Sequence, residues 1–349
     1  MLSIVLGLIA ALLPALAPLH QPTDGSIREA PAPLYRCPIH DGAADPTIIY
    51  RRADESWWMF YTSRRANVDA PDVAYVYGCE IGVASSHDHG RTWVHRDMLD
   101  LEFEPGRNTF WAPDVVYDEK TGVYHLFVSY IQGVRSHWGG DTRIERWTST
   151  DLLTWTHQGT VDLGGTGMID GTILRLDNGI WRMWYRGRSV RTQQAESTDL
   201  EHWTVIDEPV IGDRAHEGPN AFRFDGIHWM VVDQWAGMGV YRSDDGATTW
   251  RRVGTILAGP SGRPDDGPSG AHGDVVVVGE TAYIFYFTHP ERDSHLDAPL
   301  DERGNTPYHL RRSSIQVAEL RREGDGLIAV REGFDFFLPS RPEWDGPGE

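Results

Sequence analysis

The chain is predicted to be all-β and closed into a five-bladed β-propeller, on three observations. Helical periodicity is scarce beyond the N-terminal segment, and short alternating apolar runs broken by Gly, Asp and Asn dominate. A turn motif recurs in "SHDHGRTW" (86–93), "STDLLTW" (149–155), "STDLEHW" (197–203) and "SDDGATTW" (243–250), each with a hydroxyl residue, an Asp and a closing Trp. A second theme of polar start, apolar strand, tight turn and aromatic return strand occurs five times, at 43–63, 111–130, 168–187, 216–235 and 271–289. The turns recur about every 45 to 60 residues, the length of a four-stranded blade.

Each element has a local reason. In the turn motif the Asp side chain caps the turn and the Trp packs beneath it. The five return strands, such as "WWMFY" and "YIFYF", are rich in the aromatic and β-branched residues that suit a buried strand. The segment 307–330 supplies further strands to the fifth blade. The propeller is expected over 37–338, after a linker at 18–36 and before an irregular tail at 339–349. Residues 1–17, "MLSIVLGLIAALLPALA", are apolar and uncharged and read as a signal peptide ending in Ala15-Leu16-Ala17, for a secreted or periplasmic protein. Cys37 and Cys79 allow one disulfide or two free thiols.

Composition narrows the partners. The 349 residues carry 51 acidic against 32 basic groups, a formal charge of −19, which repels nucleic acid and anionic membrane surfaces. The 14 tryptophans provide flat apolar faces that stack on sugar rings, although packing accounts for most of them.

In a propeller the innermost strand of each blade lines the central channel, so residues at one end of those strands converge. Asp45, Asp114, Asp170, Glu217 and His272 are expected at that end. Gathering carboxylates there costs stability and raises their pKa values, which a purely structural ring would avoid with Asn, Ser or Thr. Glycoside hydrolysis needs such an arrangement, one carboxyl protonated beside the leaving oxygen and one ionised opposite it.

The order Asp45-Pro46, Trp111-Ala112-Pro113-Asp114, Ile169-Asp170-Gly171, Glu217-Gly218-Pro219, then Gly270-Ala271-His272-Gly273 and Tyr286-Phe287-Thr288-His289 resembles glycoside hydrolase families 43 and 117 across about residues 40–330. The resemblance implies Asp45 as general base, Asp170 as the group that tunes and orients, and Glu217 as general acid. His216 occupies the place of a histidine considered for the acid role in family 117, so the acid is His216 or Glu217. Asp170-Gly171 departs from the Asp-Pro common in family 43. The resemblance requires no cofactor and implies at most a structural Ca2+ or a water near His272 at the channel centre. The arginine it places after the fifth blade's inner strands is Arg311 or Arg312.

Further substrate contacts are expected from Asp114, from Trp111, Trp138 or Trp235 as a platform under a sugar, and from Arg64, Arg65 or Arg186. For the arginines, stacking on neighbouring aromatics is an equal expectation. The expected activity is inverting, exo-acting hydrolysis of arabinofuranose-, xylose- or anhydrogalactose-type sugars from plant or algal polysaccharide fragments, with an oligosaccharide or polysaccharide as partner. The alternatives are a sialidase-like hydrolase, suggested by the turn at 86–93, and a non-catalytic carbohydrate-binding propeller. Oligomeric state is not legible.

Overall fold

Five four-stranded antiparallel sheets follow one another along the chain, and in each the strands pair in sequence order. The computed structural model describes residues 27–247, 249–296 and 298–340. The expected signal peptide, part of the linker and residues 341–349 of the tail lie outside the described residues. The sheets occupy residues 43–98, 109–160, 169–211, 217–256 and 271–330, and are here numbered as blades one to five. The five-bladed propeller read from the sequence is therefore the fold, and a six-bladed sialidase architecture is not.

The innermost strands are Ala43–Arg51, Thr109–Asp118, Ile169–Arg175, Glu217–Phe224 and Ala271–Val278, and they pack side by side around the axis. Burial explains the sequence pattern. The second strands, such as Ser56–Ser63 and Thr281–Thr288, are covered on both faces and read as unbroken apolar runs. Outer strands such as Val94–Met98 and Thr156–Thr160 are largely exposed and polar.

Most of the core is five layers, one between each pair of neighbouring blades, with a smaller separate cluster of Tyr75, Val76, Tyr77 and Ile131. The repeated turn builds the layers. In blade two, Asp151 Oδ1 accepts from the backbone N–H groups of Leu153 and Thr154 at 2.8 Å, and Asp199 repeats this in blade three with Glu201 and His202. The closing Trp then reaches back to the preceding blade. Trp155 meets Phe60, Trp203 meets Phe127 and Trp250 meets Trp184, all edge-to-face at 5.8–5.9 Å between ring centroids. Such pairs contribute about 0.5–1.5 kcal/mol each beyond the area they bury.

Because each blade takes four consecutive strands, no strand exchange closes the ring. The layer between blades five and one instead recruits both terminal segments: Leu34 and Tyr35 from one, Phe334, Phe336 and Leu338 from the other. Tyr35 exchanges backbone hydrogen bonds with Ile315 of blade five, and Trp57 of blade one donates to the Pro339 carbonyl. The chain after Phe337 is thus bonded to blade one as far as it is described. Cys37 and Cys79 are both buried free thiols.

Candidate active site

One irregularity repeats in all five innermost strands. Near its start each carries a β-bulge, at Asp45-Pro46, Ala112-Pro113, Asp170-Gly171, Gly218-Pro219 and His272. The first bulge residue is left-handed in four of them: Asp45 (φ 48°), Ala112 (φ 45°), Asp170 (φ 58°) and Gly218 (φ 56°). Asp and Gly tolerate that region best, and the following prolines cannot donate to the ladder the bulge interrupts. The bulge re-aims side chains at the mouth of the channel. Side chains on the preceding blade secure it: Thr62 accepts from the N–H of Ala112, Ser129 from that of Asp170, and Asp233 from that of His272, at 2.8–3.1 Å.

This register corrects the expected single ring of five acids. Asp45, Asp170 and His272 do share the bulge position, and Glu217 stands one residue earlier. Asp114 lies beyond its bulge, level with Thr47, Thr172, Asn220 and Asp274. Those residues lace the blades together one layer deeper. Thr47 donates to Asp114, which accepts from the Ile173 N–H at 2.8 Å. Asn220 donates to Asp274 at 2.9 Å, and Asp274 accepts from the Ile48 N–H at 2.7 Å. Burial, with the Asp274 charge, pushes the Asp114 carboxyl up to about 8, and burial lifts Asp274 to about 6. Asp114 therefore braces the backbone of the next blade. A void of about 10 Å³ lies at this level. The larger cavity, about 390 Å³ and walled by residues such as Ile48, Val115, Ile173 and Val276, lies on the far side of the lacing and includes none of Asp45, Asp170 or Glu217.

The upper layer holds two carboxyl groups of opposite character. Asp45 is buried, with Arg64 Nη2 at 3.4 Å and His272 Nδ1 at 3.6 Å from its Oδ1. Burial alone would raise its pKa, but the Arg64 and His272 charges hold it at about 2. His272, which burial would lower, is lifted to about 9 by Asp45 and Asp170, so its ring is protonated at neutral pH. Asp170 accepts from the Gly218 N–H at 3.1 Å, directly beside Glu217. Glu217 opens towards solvent, with 31% of its side chain exposed. Crowding by the protein and the Asp170 charge raise its pKa, which the indole of Trp235, donating at 2.9 Å, partly offsets. Asp170 is raised as well, by burial and by the Asp45 charge.

Other expected residues divide. His216 is fully covered: Nδ1 meets the Arg214 carbonyl at 2.8 Å and Nε2 the Thr192 hydroxyl at 2.6 Å, so both nitrogens are spent away from the carboxyl groups. Arg186 stands 4.0 Å from Glu217. Arg312 is committed to Asp41, Asp265 and Glu291, and Arg311 reaches towards Asp69, so the arginine contacting the predicted base is Arg64. Arg65 donates to the Tyr77 and Ala74 carbonyls. Trp111 donates to the Val76 carbonyl with its ring 5.0 Å from Tyr77, while Trp138 is exposed beside Tyr77. His272 Nδ1 faces Asp45 Oδ1 at 3.6 Å, and among the described residues no three His, Cys, Asp or Glu are arranged to hold an ion directly.

Three contributors were given no role from the sequence: His289, quoted only within a motif, which meets Arg64; Asp233, whose carboxylate ties Trp235 to His272 through their backbone N–H groups; and Ser129. Each acts across blades. The sequence signal was a polar residue at or near the end of an otherwise apolar second strand: Asp233 ends its strand, Ser129 lies two residues before the end of its strand and His289 one residue after.

A five-bladed propeller with polarised carboxyl groups at one end of its axis is the architecture of a glycosidase. Residues 38–257 match the family model Glyco_hydro_43_rel, described as a probable glycosyl hydrolase domain, and the chain belongs to that family. It is accordingly a glycosidase of the family 43 type. Solved structures share the fold at low identity. A thermostable family 43 glycoside hydrolase is 19% identical with a TM-score of 0.62, the match covering 90% of this chain and 99% of that one. A family 43 β-1,3-galactosidase with galactodeoxynojirimycin is 14% identical, TM-score 0.62, covering 84% and 95%. A family 43 enzyme from Xanthomonas citri is 16% identical, TM-score 0.60, covering 89% and 96%. No curated protein sequence matches the chain.

Proposed function

We propose that the protein is an exported, inverting, exo-acting glycosidase in which Asp45 is the general base, Glu217 the general acid and Asp170 the group that keeps the acid protonated. The observation that carries this is the opposite polarisation of two carboxyl groups at one mouth: Asp45 held ionised by Arg64 and His272, Glu217 raised by crowding and by Asp170. Environments that push paired carboxyl pKa values apart assign base and acid. Their blades, one and four, are not neighbours in the ring, which favours the wide separation that admits a water and hence inversion. His216, with both nitrogens bonded elsewhere, leaves the acid role to Glu217.

Trp235 is the side chain best placed to face a sugar, since its indole already touches the acid. Arg186, 4.0 Å from Glu217, is the nearest cation to that site. Structural relatives include a β-xylosidase, the β-1,3-galactosidase and an exo-β-1,3-galactanase. The substrate class proposed here is a terminal xylose-, arabinofuranose- or anhydrogalactose-type residue on a plant or algal oligosaccharide. Aryl glycosides and oligosaccharides of these types, followed by NMR, give both the sugar and the anomer released first. Asp45→Asn and Glu217→Gln should each lose at least about 100-fold in kcat while still binding sugar. Hydrolysis at the parent rate by both variants refutes the reading.

A further inference from the structure

Arg64 is clamped between two partners from different blades. It follows the second strand of blade one, Ser56–Ser63, and its backbone N–H is fixed on the Gly42 carbonyl at 2.8 Å. Its Nη2 lies 3.4 Å from Asp45 Oδ1, and its Nη1 lies 3.2 Å from Nε2 of His289, on blade five. The guanidinium also sits 4.5 Å from the Phe287 ring centroid.

The tautomer of His289 follows from its other contact. Nδ1 is 2.8 Å from the Arg312 carbonyl, which can only accept, so Nδ1 carries the proton and Nε2 offers its lone pair to Arg64. A second proton on the buried ring would point N–H at N–H. Arg292, His295 and Arg64 face this ring as well, and burial together with those neighbours keeps it neutral. Arg312 is anchored in turn by Asp41, Asp265 and Glu291. A continuous line thus runs from an ion-pair cluster, through one backbone carbonyl and one imidazole, to the guanidinium on Asp45.

We propose that His289 is a positioning residue for hydrolysis: by accepting from Arg64 it fixes the guanidinium against Asp45, and so fixes the orientation and charge of the base. This rests on Asp45 being the base. The titratable and charged groups that act on Asp45 are Arg64, just after the second strand of blade one, His272 from blade five and Asp170 from blade three, with Cys79 and His295 also within electrostatic reach and the Thr62 hydroxyl beside it. Of these, Arg64 is the one hydrogen-bonded to His289, while His295 meets its ring at 5.3 Å.

The test compares parent, His289→Phe and His289→Gln in the full chain. Phe keeps the bulk without an acceptor, and Gln restores a carbonyl oxygen near the Nε2 position. Two readouts are taken: the pH profile of kcat/KM on the aryl glycoside hydrolysed best by the parent, and the Asp45 carboxyl titration by 13C NMR without substrate, assigned with Asp45→Asn. In His289→Phe the guanidinium loses its anchor. The acid limb and the Asp45 midpoint should rise together by about one unit, kcat should fall about tenfold at the parent optimum with KM little changed, and Gln should recover most of both. An acid limb and midpoint that stay put or move down in a folded His289→Phe variant overturn the proposal. So does a failure of Gln to recover what Phe loses. If Asp45→Asn itself retains activity, the assignment of the base has failed, which is a different result from an unshifted His289→Phe profile in an enzyme that Asp45→Asn inactivates.

Discussion

The hydrogen bond from Trp235 to Glu217 gives a prediction of definite sign. Its Nε1 donates to Oε1 at 2.9 Å, and a donor of this kind favours the ionised carboxylate over the acid. The bond therefore works against the raised pKa a general acid needs. Trp235→Phe keeps an aromatic face and removes the donor. The difference between donating to a carboxylate and to a neutral carboxyl is about 1 kcal/mol. At 1.36 kcal/mol per pKa unit this is about 0.7 unit, reduced to about 0.3–0.7 because the Glu217 side chain is 31% exposed. In the proposed roles Glu217 must be protonated and Asp45 ionised, so activity is lost as pH rises through the Glu217 pKa. Losing the donor raises that pKa, and the basic limb of kcat/KM should move to higher pH by that amount while the acid limb, set by Asp45, holds. Rates on an aryl glycoside from pH 4 to 10 give both limbs. A basic limb that stays fixed or moves to lower pH refutes the assignment of Glu217 as the acid.

Three further outcomes follow from the packing. A Cβ on Gly218 would lie 2.5 Å from His272 Cγ on a backbone already at φ 56°, so Gly218→Ala should cost about 2 kcal/mol or more in urea unfolding and reduce kcat more than KM; a variant as stable and active as the parent would show that His272 can move freely. Asp114, held up at about 8, keeps a proton that the unfolded chain releases near pH 4, so it costs stability increasingly as pH rises from about 4 to 8. Asp114→Asn can still accept from Ile173 and can donate to Thr47, so its Tm advantage should grow over that window; an advantage largest at pH 4 would contradict this. Trp203→Ala removes a half-buried wedge from the Phe127 edge and should cost about 2 kcal/mol by urea denaturation; a change below about 0.5 kcal/mol would show that the wedge contributes little.

Much of this architecture was readable because repetition is a sequence property. The Ser/Thr–Asp–Trp turns and the five strand-pair starts mark the blades whatever their packing, and Asp45 and Asp170 announce themselves before Pro46 and Gly171 at the same bulge position. Depth along the axis was harder to read. A bulge adds one residue without a sequence mark of its own, so Asp114 seemed level with Asp45 although it lies in the layer below. Direction was equally hidden at His216-Glu217, where adjacent side chains diverge, one into the protein and one towards the mouth. Arg312 and Arg64 show the third gap. Which guanidinium reaches Asp45 depends on competing carboxylates in loops far apart in sequence, and Asp41, Asp265 and Glu291 take Arg312 away.

Ring closure by the chain ends, with no exchanged strand, has a consequence for biosynthesis. Asp45 belongs to the first blade made and His272 to the last, yet they face each other at 3.6 Å across the final seam. That seam is filled by side chains on both sides of the sequence, including Leu34 and Phe336. A polypeptide that lacks blade five keeps Arg64 in the same blade as Asp45, but it has no His272 beside the proposed base and no cover for the last apolar layer. On the proposed assignment, the surroundings of the base are complete only once the fifth blade has closed against the first.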